Sequence, residues 1–172
     1  ARMFCQPIAQ GSGASQLGVP VVLTYELGQP ARNTLGEVYD QIESDLLDAE
    51  AALAEVSPNG GTDAKGWATK SAAKALLARF YLYTEQWQDA ANYAGMVINS
   101  GEFPLYTPDE YTTWDNGGVW GTDGGSEIIF EVYGAEGNSS HSNWDVISYI
   151  MSPLGYGDIN ASRDVYNLYE DS

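Results

Sequence analysis

Cysteine, histidine and basic residues are scarce in this chain, and each scarcity excludes a class of chemistry. The single cysteine, Cys5, rules out an internal disulfide and a multi-cysteine metal site; it reads as a small helix-packing residue. The single histidine, His141, sits in a Ser/Asn-rich stretch, which excludes His-based metal centres and most His-dependent triads. Seven Lys and Arg face 24 Asp and Glu, giving a formal charge of −17. Such a balance argues against nucleic acid, whose phosphates demand cations, and against docking on an anionic membrane surface. No apolar run approaches the ~20 residues of a membrane-spanning helix. There is no signal peptide and no initiating Met. Ala1-Arg2-Met3-Phe4 resembles the last turn of a helix, so the chain is expected to be a piece of a longer protein, cut at both ends.

Catalytic and cofactor motifs are missing as well. Gly11-Ser12-Gly13 lacks the third glycine of a dinucleotide fingerprint, and no phosphate-binding Gly-Lys-Ser/Thr occurs. Ser139, Ser140 and Ser142 surround His141 without nucleophile-elbow spacing. Asp115 and Asp123 share a glycine loop but miss the EF-hand pattern. Paired carboxylates for glycoside hydrolysis depend on a separation in space that sequence does not display, and nothing points to them. The expectation is a non-enzyme without metal or cofactor. Asn138-Ser139-Ser140 and Asn160-Ala161-Ser162 match the short glycosylation sequon.

Hydrophobic residues make up 44% of the chain, enough for a folded core at 172 residues. The organising stretch is residues 72–101, read as two helices joined by a tight turn near 83–87. The first is apolar on nearly every side, with Leu76, Phe80 and Tyr83 on one stripe and Leu77, Ala78, Tyr81 and Leu82 covering the rest. That pattern predicts burial all round. The second repeats Trp87, Ala90, Ala91, Ala94, Val97 and Ile98 at spacings of three and four, and its three alanines allow close backbone approach. A helix pair of this kind needs neighbours, as in a helical repeat.

One neighbour is signalled upstream. Thr34-Leu35-Gly36-Glu37 is a capping box, followed on one face by Leu35, Val38, Tyr39, Ile42, Leu46, Ala49 and Leu53. Glu37, Asp40, Glu43, Asp45, Asp48 and Glu50 fall largely off that face, as a solvated side would. Lys65, Lys70, Lys74 and Arg79 are expected to pair with these acids and fix the helix register; an anion site would need a Gly-rich cradle that is not there. Before the box, residues 18–23 form a β-branched, Pro-interrupted segment expected to be extended and pinned to the core.

Thr107-Pro108-Asp109-Glu110 is a second capping box, opening a short helix with Tyr111 and Trp114. Residues 115–125 are loop, and 127–133 read as a short strand or extended segment. Residues 134–143 are loop again, 144–151 are apolar and of ambiguous type, and 162–169 are a plausible last helix. This gives one partial domain over 1–172, with a helical scaffold at 1–101 and a loop-rich region at 102–172. The loops suit sugar recognition, in which an indole stacks on a pyranose while amides and carboxylates take the hydroxyls. Trp87 and Trp114 lie on helical stripes and are expected in the core. Trp120 and Trp144 are the platform candidates, with Asp115, His141, Asn143 and Tyr156 as polar partners.

Four stretches in order resemble the SusD/RagB family of Bacteroidetes outer-membrane glycan-binding lipoproteins. They are Leu17-Gly18-Val19-Pro20-Val21-Val22, Arg32-Asn33-Thr34 through Asp45-Leu46, residues 70–101, and Ser126-Glu127-Ile128-Ile129-Phe130-Glu131. The resemblance implies a mainly α fold of tetratricopeptide-like hairpins in an α-superhelix, with long aromatic and Gly-rich loops and little β structure. It implies non-catalytic capture of oligo- or polysaccharide at the outer-membrane surface for a SusC-like TonB-dependent transporter. The family's lipidated N-terminal cysteine is not matched, since Cys5 lies in no lipobox. Glycan contacts in the family lie on variable loops, so the site residues rest on chemistry alone. Two other readings stand beside it: a helical-repeat module that binds protein and has no sugar site, and, more remotely, a glycoside hydrolase domain.

Overall fold

The first helix begins where its capping chemistry dictates. In the computed structural model the Thr34 hydroxyl accepts from the Glu37 amide at 3.3 Å, and the Glu37 carboxylate takes the Thr34 amide at 2.8 Å. These bonds satisfy amide donors that have no partner within the helix. The structure describes residues 5–132 apart from 12, 26, 59–64, 113–118 and 120–123. Two compact units divide the chain, residues 1–133 and 134–172, and every described residue belongs to the first. Among the described residues the fold is mainly α: α1 (Leu35–Ala52), α2 (Lys70–Tyr83), α3 (Trp87–Ser100) and α4 (Pro108–Thr112), with a 3-10 turn at Gly13–Ser15. None of these helices is long and apolar enough to cross a membrane.

The expected helix pair is present, with its break at residues 84–86. Thr84 closes α2 by donating its amide to the Phe80 carbonyl at 3.0 Å, and Glu85 turns the chain with φ of 61°. Gly101 ends α3 at φ of 69°, the left-handed conformation that glycine adopts without a Cβ penalty. α2 lies between α1 and α3 and supplies the core, with Leu77 fully buried beside Phe80, Tyr81 and Ala90. Tyr39, Ile42, Leu46 and Tyr93 pack around this cluster. Burying a leucine such as Leu77 is worth about 1.5–3 kcal/mol. The rings of Tyr39, Phe80, Tyr81 and Tyr93 follow one another at centroid distances of 5.8, 5.3 and 5.5 Å.

Four expectations about burial and pairing are corrected. α2 is not buried all round: Leu76 is 49% exposed and Leu82 52%, because α1 and α3 cover only part of its circumference. Trp87 is 60% exposed rather than in the core. The inward face of α3 is carried instead by Ala90 and by Tyr93, whose ring stacks on Tyr81. The acidic side of α1 is not wholly solvated, since Glu43 accepts from the Tyr81 hydroxyl at 2.8 Å and Glu50 from the Tyr93 hydroxyl at 3.2 Å. Lys70 and Lys74 meet neither of these acids. Both reach Glu55, beyond the end of α1, at 3.2 and 4.0 Å.

The segment before α1 is held by hydrogen bonds rather than pinned to the core by its apolar side chains, since Val22 is 59% exposed and Leu23 71%. The Gly18 amide donates to the Asn33 carbonyl at 2.8 Å, and the Val21 amide to the Asn33 side chain at 2.9 Å. Arg32 returns its guanidinium to the Gly18 and Leu17 carbonyls at 2.6 and 2.8 Å. Cys5 is half-buried in a bend rather than packed in a helix. Residues 127–132 form no ladder, so the described part of the stretch expected as a short strand or extended segment holds no strand; a turn bond from the Ile128 amide to the Gly125 carbonyl, at 3.1 Å, opens it. The helix end expected at residues 1–4, Trp114, and the elements expected at 144–151 and 162–169 lie outside the described residues.

Candidate functional site

All six side chains singled out for ligand contact, Asp115, Trp120, His141, Asn143, Trp144 and Tyr156, lie outside the described residues. What is described is the footing of the stretch that carries Asp115 and Trp120. Its leading foot is α4, and its trailing foot begins at Gly124.

The leading foot is built by the second capping box. The Glu110 carboxylate accepts the Thr107 amide at 2.6 Å and the Thr107 hydroxyl at 2.8 Å, and the Glu110 amide donates to that hydroxyl at 3.3 Å. The Thr107 backbone bond, followed by its hydroxyl bond, holds the Glu110 carboxyl below the usual range. One residue further, Tyr111 donates its hydroxyl to Glu127 Oε2 at 2.9 Å. The same oxygen accepts the Tyr106 amide at 3.1 Å. A single carboxylate oxygen on the trailing foot thus holds the chain entering α4 and the phenol leaving it. This bond to Glu127 also raises the Tyr111 phenol above its ordinary range, because it favours the neutral donor.

Side chains tighten the same junction. The Tyr106 and Tyr111 rings meet edge to face at 5.6 Å. The Tyr106 hydroxyl lies so close to Gly125 that a Cβ there would overlap it, which is why glycine fills the position. On the trailing foot the Gly124 amide donates to Glu131 Oε1 at 2.7 Å, and the Glu131 amide donates to the Lys65 carbonyl at 3.1 Å. Lys65 sits 4.5 Å above the Phe103 ring. Burial lowers its pKa, while Glu102 and Glu131 oppose that shift. Glu102 in turn accepts from the buried Ser71 hydroxyl at 3.2 Å, so the footing is fastened to the start of α2.

Behind Glu127 runs a groove of about 580 Å³ between the later half of α1, α2 and residues 127–130. Leu46, Leu53, Leu76, Ile128, Ile129 and Phe130 line it, and Arg79 and Glu127 are its charged members. Such a wall suits aliphatic side chains and has few groups for sugar hydroxyls. Arg79, expected to pair with the acids of α1, makes no ion pair among the described residues. Those residues also hold no group of three His, Cys, Asp or Glu able to bind a metal.

The sequence singled out Thr107 and Glu110 but not Tyr106, Tyr111 and Glu127 as one cluster. Glu127 was legible as part of a β-rich run and of the Ser126–Glu131 resemblance, and the sixteen positions separating it from Tyr111 carry no periodic signal.

Comparison with known proteins identifies relatives of the chain. Residues 1–82 match a SusD-like family model described as starch-binding and associating with the outer membrane. A SusD superfamily protein from Bacteroides thetaiotaomicron VPI-5482, known from its crystal structure, is 35% identical with a TM-score of 0.59. The match covers 70% of this chain and 25% of that one. A second crystal structure, of a SusD superfamily protein from Bacteroides vulgatus ATCC 8482, is 29% identical with a TM-score of 0.66, covering 84% of this chain and 31% of that one. The chain therefore spans about a quarter to a third of the length of these solved relatives. No curated protein matches it.

Proposed function

The chain belongs to the SusD superfamily, and from that premise we propose that it is part of an outer-membrane surface protein that captures oligo- or polysaccharide without transforming it. The captured glycan passes to a SusC-like TonB-dependent transporter. In this reading residues 1–101 are a scaffold of stacked helical hairpins and residues 102–172 carry the ligand contacts. Trp120 and Trp144 serve as stacking platforms, each on its own stretch. Asp115, His141, Asn143 and Tyr156 take hydroxyls. The observation that carries the reading is the footing, in which one Glu127 oxygen joins the two ends of the stretch bearing Asp115 and Trp120. A binding stretch whose ends are fixed loses less freedom when ligand arrives. The family's description as starch-binding supports a glycan as that ligand.

The test is a tryptophan-fluorescence titration with malto-oligosaccharides and a wider glycan panel. Saturable binding that falls at least about tenfold in Trp120→Ala or Trp144→Ala supports the proposal, since stacking contacts of this kind dominate sugar sites. Absence of any sugar response, or turnover of a glycoside, overturns it. The apolar groove beside Arg79 favours a second reading, a helical module that docks protein and has no sugar site. Retention of the transporter by a protein that ignores every glycan would select that reading.

A further inference from the structure

The groove behind Glu127 takes no part in glycan capture, and its chemistry is that of a different ligand. It holds about 580 Å³, within the range of small-molecule sites, and Leu46, Leu53, Leu76, Ile128, Ile129 and Phe130 supply its walls. A second hollow of about 320 Å³ is lined by Tyr39, Ile42 and Tyr83. Leu46, Leu76 and Arg79 line both, so Arg79 stands where the two meet. The Arg79 side chain is exposed and makes no ion pair and no hydrogen bond among the described residues. Glu127, the groove's other charged member, is engaged: its Oε2 accepts from the Tyr106 amide and the Tyr111 hydroxyl. On α1, Glu43 and Glu50 accept from Tyr81 and Tyr93, and Glu55 beyond that helix pairs with Lys70 and Lys74. A planar cation is thus left without a partner at the edge of an apolar wall.

We propose that this groove binds a long-chain carboxylate, with Arg79 taking the carboxylate and the alkyl chain lying between α1, α2 and residues 127–130. The guanidinium fork fits a carboxylate through two parallel N–H···O bonds. The wall fits methylenes, since it carries few groups that could satisfy a polar ligand. Ala72 and Arg79 both line the groove on α2, and about 10 Å of helix rise separates them, the reach of roughly eight methylenes. Ala68 extends the wall before α2 begins. A helix laid along the same length would fill roughly 800 Å³, more than the 580 Å³ of the groove. A single alkyl chain is the thinner occupant, and it sets no polar backbone against the wall. The charge of −17 on the whole chain opposes an anion at long range, but salt screens it beyond ~8 Å, whereas the fork acts at contact. Neither this site nor the glycan site needs the other's residues.

The experiment is isothermal titration of the full chain with dodecanoate, kept below the concentration at which it forms micelles. Octanoate and dodecyltrimethylammonium are the comparison probes. Dodecanoate is expected to saturate one site. Octanoate, shorter by four methylenes, should bind at least about tenfold more weakly, because each buried methylene is worth up to about fourfold. Arg79→Leu should weaken dodecanoate about tenfold or more, while Arg79→Lys keeps the cation and should stay within about fivefold of the parent. Ala75→Trp puts an indole into the groove from a half-exposed position on α2 and should abolish binding with ellipticity at 222 nm unchanged. If that variant does not fold, Ala68→Trp blocks the same wall from an exposed position before α2. Equal displacement of dodecanoate by dodecyltrimethylammonium overturns the proposal. So does an affinity that survives both Arg79→Leu and the tryptophan variant, for the chains then adsorb on apolar residues elsewhere, such as Tyr25 and Leu27. Absence of saturable dodecanoate binding overturns it too; if Ala75→Trp then prevents retention of a protein partner, the groove is a protein dock.

Discussion

Replacing Gly18 with alanine tests whether the segment before α1 is pinned by contact or by conformation. Gly18 is buried, and its backbone lies across the first turn of α1. A Cβ built there would sit 2.8 Å from Val38 Cγ2, 3.2 Å from Leu35 Cα and 3.3 Å from the Thr34 carbonyl oxygen. The first distance is shorter than carbon atoms tolerate, and Val38 is only 4% exposed, so its methyl has nowhere to swing. Gly18 does not have the positive φ of Gly11, Gly13, Gly101 or Gly124, so backbone strain adds nothing. The cost is therefore overpacking, typically about 1–3 kcal/mol. Taking ~2 kcal/mol and roughly 4 °C per kcal/mol for a unit of this size gives a fall in thermal midpoint of about 8 °C. Urea unfolding followed at 222 nm measures the loss directly. Repeating it in a Val38→Ala background isolates the contact, because the shortened side chain opens the space the new methyl needs. The Gly18→Ala penalty should then shrink to about 0.5 kcal/mol or less. A penalty that survives Val38→Ala undiminished, or a single variant within about 0.5 kcal/mol of the parent, would refute the steric account.

Other perturbations separate other causes. Gly101 is the reverse of Gly18, with φ of 69° and nothing within 4 Å of the point where a Cβ would stand. Gly101→Ala should cost about 1–2 kcal/mol through conformation alone, and Gly101→Asn less; equal losses for both would refute this. Thr34→Ala removes the N-cap acceptor of α1 and should cost about 1 kcal/mol in urea unfolding, with Thr34→Ser nearly neutral. Burial first, then the bond to Glu43, raises the Tyr81 phenol; burial and Glu50 raise Tyr93. A raised folded-state pKa means stability that is complete below the unfolded phenol value of about 10 and is lost as pH rises toward the folded value. The thermal midpoint should thus hold up to about pH 10 and fall above it, and the fall should be shallower in Tyr81→Phe. A midpoint flat to pH 12 would contradict that sign.

Local chemistry was legible in the sequence wherever a few adjacent residues decide the outcome. The Thr34–Glu37 and Thr107–Glu110 boxes mark the starts of α1 and α4, and the break before Trp87 separates α2 from α3. The Gly-Val-Pro segment was readable as held in place, though not that Asn33 and Arg32, rather than burial in the core, hold it. What depends on distant partners was not. Periodicity assigned Glu43 and Glu50 to a solvated face because it cannot see that the phenols of Tyr81 and Tyr93, 38 and 43 positions away, reach across. It placed Trp87 in the core because an indole on an apolar stripe looks buried until its neighbours are known. Burial all round α2 was inferred from composition, whereas only two helices flank it among the described residues. For the site, the sequence named the kinds of side chain a sugar needs. The footing that would hold two of them was hidden, since Glu127 becomes meaningful only once Tyr106 and Tyr111 are seen to converge on it.

The clasp at Glu127 has a consequence for how such a protein changes what it recognises. The bonds that hold Tyr106, Tyr111 and Gly124 are made by Glu127 and Glu131, all outside the insert of residues 113–123. Doubling it would add only about 0.6 kcal/mol of closure entropy. The footing therefore works as a graft point: a new stretch can be exchanged between the two feet without renegotiating the packing of α1, α2 and α3. On the proposed reading, in which residues 113–123 carry ligand contacts, ligand preference can then diverge on one side of the clasp while the helices on the other side stay as they are.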